Sequence, residues 1–136
     1  MDTSFRTFLD SFFTTWRNSA IHKLKEIISK DYQAREVVSS GEISDFGYEE
    51  SIQGWEQGFT FAMDNNAEWE LEELSILPLR DDEILVILSA SMIIDGNSLE
   101  TANVFFDTFK KNAYGEWKLV RSYIEAGINK ENLSRV

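Results

Sequence analysis

The chain has 136 residues, 43% of them apolar and 27% charged, with a formal net charge of -11 and no cysteine. That length supports one domain able to bury about two-thirds of the surface its unfolded form exposes, and the apolar share is that of a globular chain. The lack of cysteine excludes disulfide scaffolds, thiolate nucleophiles and cysteine-ligated zinc.

The acid is concentrated: residues 31–83 carry fifteen acidic and two basic groups. Such a surface repels phosphate backbones and anionic lipid, so no nucleic acid or membrane partner is expected. It also keeps a chain with 10 Phe, 4 Trp and 4 Tyr in solution. Met1 to Asp10 has no basic region ahead of an apolar stretch, and the apolar run Ile84 to Ile94 is too short for a bilayer. A cytoplasmic location is expected.

Phe5, Phe8, Leu9, Phe12, Phe13 and Trp16 recur along one helical stripe. Ser19 reads as the N-cap of a second, shorter helix through Ile21, Leu24, Ile27 and Ile28. Tyr32 to Ser40 reads as one short strand, and Gly41 to Gly47 as a loop leading to a helix capped by Ser44 or Asp45. That third helix runs to about Asp64 and places Tyr48, Ile52, Trp55, Phe59 and Met63 on one face. Gly54, Gly58 and Ala62 form a small-residue row on another side. Each glycine costs the helix about 1 kcal/mol, so close approach of a neighbouring element is the expected compensation.

From Glu68 the period becomes two. Trp69 and Leu71 lie on the opposite parity from Leu74 and Ile76, so a bulge near Glu72 and Glu73 is needed to bring them to one side. Strands are expected from Ile84 to Ile94, from Leu99 to Lys111 and from Trp117 onward. Asp95-Gly96 and Tyr114-Gly115 supply the turns. Ile84 to Leu88 is apolar at every position, which implies a strand covered on both faces. With helices on one face and no sequence left for a second sheet, a homodimer through the outer sheet face is inferred. The tail after Gly127 is polar and expected to be loosely held.

In an extended "GEWKLVRSYIEAG", Trp117, Leu119, Arg121, Tyr123 and Glu125 share a face. A face that begins as core and ends in polar groups reads as a strand running to the mouth of a cavity.

The order of these elements resembles the nuclear transport factor two-like superfamily over residues 4–126. It is similar in particular to the SnoaL-like, ketosteroid-isomerase-like branch, through the Phe-rich first helix, Gly47 before the third helix and the closing "GEWKLVRSYIEAG". The resemblance implies a single α+β domain over residues 1–136: a cone of three N-terminal helices packed in a curved, mainly antiparallel sheet, the cystatin-like roll. It also implies a cavity, with acid/base isomerase, dehydratase or cyclase chemistry in some relatives and non-enzymatic dimeric interaction modules among others. Where relatives carry histidines four and six residues after the Trp, this chain has Arg121 and Tyr123. No proton-transfer role carries over there.

A cone built this way is expected to bind a small, largely apolar molecule among Trp16, Tyr32, Trp55 and Phe59. Arg121 and Tyr123 would complete the site by stabilising negative charge on the ligand, with Asp107 or Glu125 as candidate base. A buried guanidinium needs a carboxylate. Glu125 is about 13 Å along the same strand from Arg121, whereas a cross-strand partner lies about 5 Å away. An odd-length turn sets Asp107 opposite Arg121; an even one sets Thr108 or Phe106 there. The other reading of these residues is a salt bridge at the rim, around a cavity filled by side chains. His22 lies off its helix's apolar stripe and reads as solvent-facing. No metal site, phosphate loop or dinucleotide fingerprint is visible, so no cofactor is expected.

Overall fold

The structure, a computed structural model, describes residues 3–133. In chain order its elements are α1 (Thr3–Arg17), α2 (Ile21–Ile27), β1 (Ile28–Val37), β2 (Ile43–Gly47), α3 (Tyr48–Asp64), β3 (Glu68–Arg80), β4 (Glu83–Ile94), β5 (Asn97–Ser98), β6 (Thr101–Lys111), β7 (Trp117–Asn129) and α4 (Lys130–Leu133). The fold is α+β, with four helices among the described residues and a mixed, curved sheet ordered β2-β1-β7-β6-β4-β3, and β5 paired to β4. β1 and β7 pair in parallel; the other neighbours are antiparallel.

The Phe stripe of α1 builds the core. Phe5, Leu9 and Phe12 are fully buried, with Phe5 edge-on to Trp117 at 4.9 Å and Phe12 edge-on to Phe109 at 5.3 Å between ring centroids. Burying each such ring contributes on the order of 2 kcal/mol, so these contacts hold α1 against the inner face of the sheet. Arg6 ties the same helix to β3 through Glu73, at 2.7 and 3.1 Å.

Several expectations are corrected. Ile28 ends no helix but begins β1, and the segment before α3 is the strand β2 rather than a loop. Gly47, not Ser44 or Asp45, caps α3, its N–H donating to the Glu50 carboxylate at 3.3 Å. Ser19 takes a left-handed φ of 51°, Ala20 caps α2, and the Ser19 hydroxyl instead accepts the indole N–H of Trp69 at 3.1 Å. Met63 is 63% exposed, and Ala62 occupies the buried face at that end of α3. The chain past Gly127 is held as the end of β7 and as α4; positions 134–136 lie outside the described residues.

The β3 bulge lies at Leu74, where the register with β4 slips between Glu73 and Ser75. It returns Ile76 to the face of Trp69 and Leu71, since Ile76 pairs with the buried Val86. A second slip, between Ala102 and Val104 of β6, is built around Gly127. That glycine has φ +72°, and a Cβ there would stand 2.1 Å from Ser39 Oγ.

Replacing Gly127 by alanine is expected to lower stability in urea titrations by at least about 1 kcal/mol, from the left-handed backbone and the collision together. Gly54→Ala, in a helix with no atom within 4 Å of the added Cβ, is expected to raise it by about 1 kcal/mol.

Candidate functional site

Between α3, the end of α1 and the inner face of the sheet lies a cavity of about 440 Å³. Trp16, Trp55, Trp69 and Phe105 form its aromatic wall. Their rings interlock edge to face around Trp16, at 4.6 Å to Trp55, 5.9 Å to Trp69 and 5.3 Å to Phe105. These contacts fix the indoles in place without filling the space they enclose.

The glycines of α3 explain why the space stays open. Gly54 and Gly58 both line the cavity. A Cβ at Gly54 would meet nothing within 4 Å, and one at Gly58 would only touch the Trp69 ring at 3.8 Å. At Gly58 the Trp69 ring of β3 is the close neighbour expected there, whereas nothing approaches Gly54. At Gly54 the helix gives up stability and the gain is volume.

Opposite the indoles the wall is polar. Tyr32 and Ser122 line it from β1 and β7, and Ser51 from α3. Behind Ser122 sits Asp107, 1% exposed, whose Oδ1 accepts the Ser122 hydroxyl at 2.6 Å. Burial pushes the Asp107 carboxyl up to about 7, with the Ser122 hydrogen bond pulling partly back. Burial, and then the Asp107 charge, push the Tyr32 phenol up. Glu36, Glu50 and Asn103 bring polar groups to the mouth.

The residues singled out in the sequence separate into two groups. Trp16, Tyr32 and Trp55 line this cavity; Phe59, 1% exposed, is packed behind it. Arg121, Tyr123 and Glu125 do not share a face with Trp117 and Leu119. Phe109 pairs with Leu119 and Thr108 with Arg121, leaving Val120 as an extra residue in β7. The bulge reverses the alternation, so Ser122 and Ile124 turn inward and Arg121 and Tyr123 turn out. Thr108, not Asp107, therefore stands opposite Arg121.

On the outer face Arg121 donates to Glu83 at 2.9 Å and holds that carboxyl below its usual value. Arg80 at 3.1 Å and Lys110 at 3.9 Å complete the cluster. Tyr123 donates to Glu125 at 2.5 Å. Arg121 and Tyr123 line an open trough of about 1020 Å³ together with Leu85 and Phe106. His22 is exposed. Among the described residues no His, Cys, Asp or Glu group is arranged to hold a metal ion, and no helix is long and apolar enough to cross a membrane.

Trp69, Phe105, Ser122 and Glu36 were not anticipated. Trp69 and Phe105 sat in strands as ordinary alternating apolar groups. Ser122 and Glu36 carried no signal, because only the register of β7 and β1 points them inward.

No family model matches the chain, and no curated protein matches it. Solved structures do. A domain of unknown function with a cystatin-like fold from Nostoc punctiforme matches with TM-score 0.68 and 13% identity over 98% of this chain and 81% of that one. An NTF2-like protein of unknown function from Shewanella oneidensis matches with TM-score 0.68 and 13% identity over 92% and 99% of the two chains. A ketosteroid isomerase-like protein from Erwinia carotovora matches with TM-score 0.59 and 12% identity over 89% and 92%. At these identities the likeness establishes the fold: that of NTF2-like, cystatin-like proteins.

Asp107 gives the fold a pH signature. Its proton is held more tightly folded than unfolded, so stability is greatest below the unfolded value near 4 and falls as pH rises toward 7. The full loss is on the order of 4 kcal/mol. Asp107→Asn is expected to flatten the denaturation midpoint across that window and to be the more stable protein at pH 8. Equal pH slopes for the two proteins would contradict the assignment.

Proposed function

We propose that this protein binds a small, largely apolar molecule in the cavity between α3 and the inner sheet face. The observation that carries this reading is the pair Gly54 and Gly58, helix-interior positions where larger side chains would stabilise the helix and fill the space. A non-enzymatic module with a solid interior has no need of an indole-walled void of about 440 Å³. Asp107 adds acid/base capability of the kind isomerases and dehydratases use. Its proton is exchangeable near neutrality, and Ser122 links it to the cavity wall. Asp107 acts through Ser122, as a positioning and relay group.

Indole and cyclohexanol are suitable first probes in a thermal-shift assay. Both are expected to raise the melting temperature of the wild type and to leave Gly54→Leu unmoved, although that variant melts higher on its own. A ligand-induced shift of the same size in Gly54→Leu would place binding elsewhere.

We propose further that two copies associate through the outer sheet face. Leu77 is 54% exposed and Tyr123 40% exposed there, beside half-buried Leu85, Ile87 and Phe106. Sedimentation is expected to give twice the mass of one chain, and Phe106→Glu to give one chain. A monomeric wild type would overturn the association.

A further inference from the structure

We propose that the ligand of the indole-walled cavity is a cation: a protonated amine on an aromatic or alicyclic body. The inference rests on the binding function proposed above and adds the ligand's charge. Glu36 lines the cavity from β1, pairs in register with Ile124 of the same wall, and is half-buried. Among the described residues its carboxylate has no hydrogen-bond donor and no cation. Glu50 lines the mouth as a second carboxylate. Among the described residues no Lys, Arg or His lines the cavity, and the nearest basic neighbour in sequence, Arg35, is on the opposite face of β1, paired with Asp45 at 2.7 Å.

A half-buried carboxylate without a partner is costly. Glu83 on the outer face gathers Arg80, Lys110 and Arg121, and Glu73 holds Arg6. Glu36 lacks such a cation in a cavity where a ligand can supply the charge. The walls suit the same ligand, because indole faces are electron-rich and attract an ammonium group as well as an apolar ring. The net charge of -11 draws cations and repels anions on approach. An anionic or enolate-like ligand, which an inward Arg121 would have favoured, has no counter-charge here.

Three probes of closely similar shape separate charge from fit: tryptamine (cationic), 3-propylindole (neutral) and indole-3-propionate (anionic), titrated calorimetrically into the wild type and into Glu36→Gln. Tryptamine is expected to bind the wild type at least tenfold more tightly than 3-propylindole, with indole-3-propionate weakest. Glu36→Gln is expected to bring tryptamine to within about twofold of 3-propylindole and to leave the latter's affinity unchanged, which also reports an intact cavity. Equal or tighter binding of the neutral or anionic probe to the wild type would overturn the charge assignment while leaving the cavity's binding function standing. A tryptamine preference that survives Glu36→Gln would likewise overturn the role of Glu36. Heat from none of the three would overturn both readings.

Discussion

The register of β7 against β6 and β1 governs everything the interior presents. Phe109 stands opposite Leu119 and Thr108 opposite Arg121, so Val120 has no partner on β6. On β1 the same step is answered by the longer run from Ile28 to Gln33. Before the bulge β7 turns Trp117 and Leu119 onto the Phe stripe of α1; after it, Ser122 and Ile124 look into the cavity. Without the extra residue, Arg121 and Tyr123 would look inward, Glu83 would lose its principal cation, and Asp107 would lose the Ser122 hydroxyl. One residue thus exchanges a cationic interior for a neutral-to-acidic one.

The domain divides its interior between packing and space. At the α1 end, rings from helix and sheet interlock with nothing between them. Around Trp16 the same edge-to-face chemistry locks the indoles together into one wall of the cavity, and the glycines of α3 withhold the side chains that would close the space beside it. A void this size is destabilising in a core whose packing is otherwise dense. It persists because its lining is fixed on the side away from the void, by Trp69 donating to Ser19 and by Phe59 packed behind Trp55.

Two acids of the outer face are compensated: Glu83 collects cations and Arg35 forks onto Asp45. The inner face keeps Asp107 buried with a single hydroxyl donor and leaves Glu36 uncompensated. These are opposite solutions to the same desolvation problem. Glu83 and Asp45 are given cations, whereas at the cavity Asp107 is hidden behind a hydroxyl and Glu36 is left open to what enters.

The sequence by itself determined the order of most elements, the helical Phe stripe, the turn at Asp95 and Gly96 and the need for a bulge in β3. All of these rest on local periodicity and turn chemistry, which a single segment expresses without reference to its neighbours. Trp16, Tyr32 and Trp55 were legible as cavity candidates because a helical face or strand parity places them. The side of the sheet occupied by Arg121, Tyr123, Ser122 and Glu36 was decided only by tertiary structure. A strand's alternation names two faces without saying where an extra residue exchanges them, and the residue that does so, Val120, is an ordinary strand former whose insertion becomes visible only against the pairing of the strands beside it.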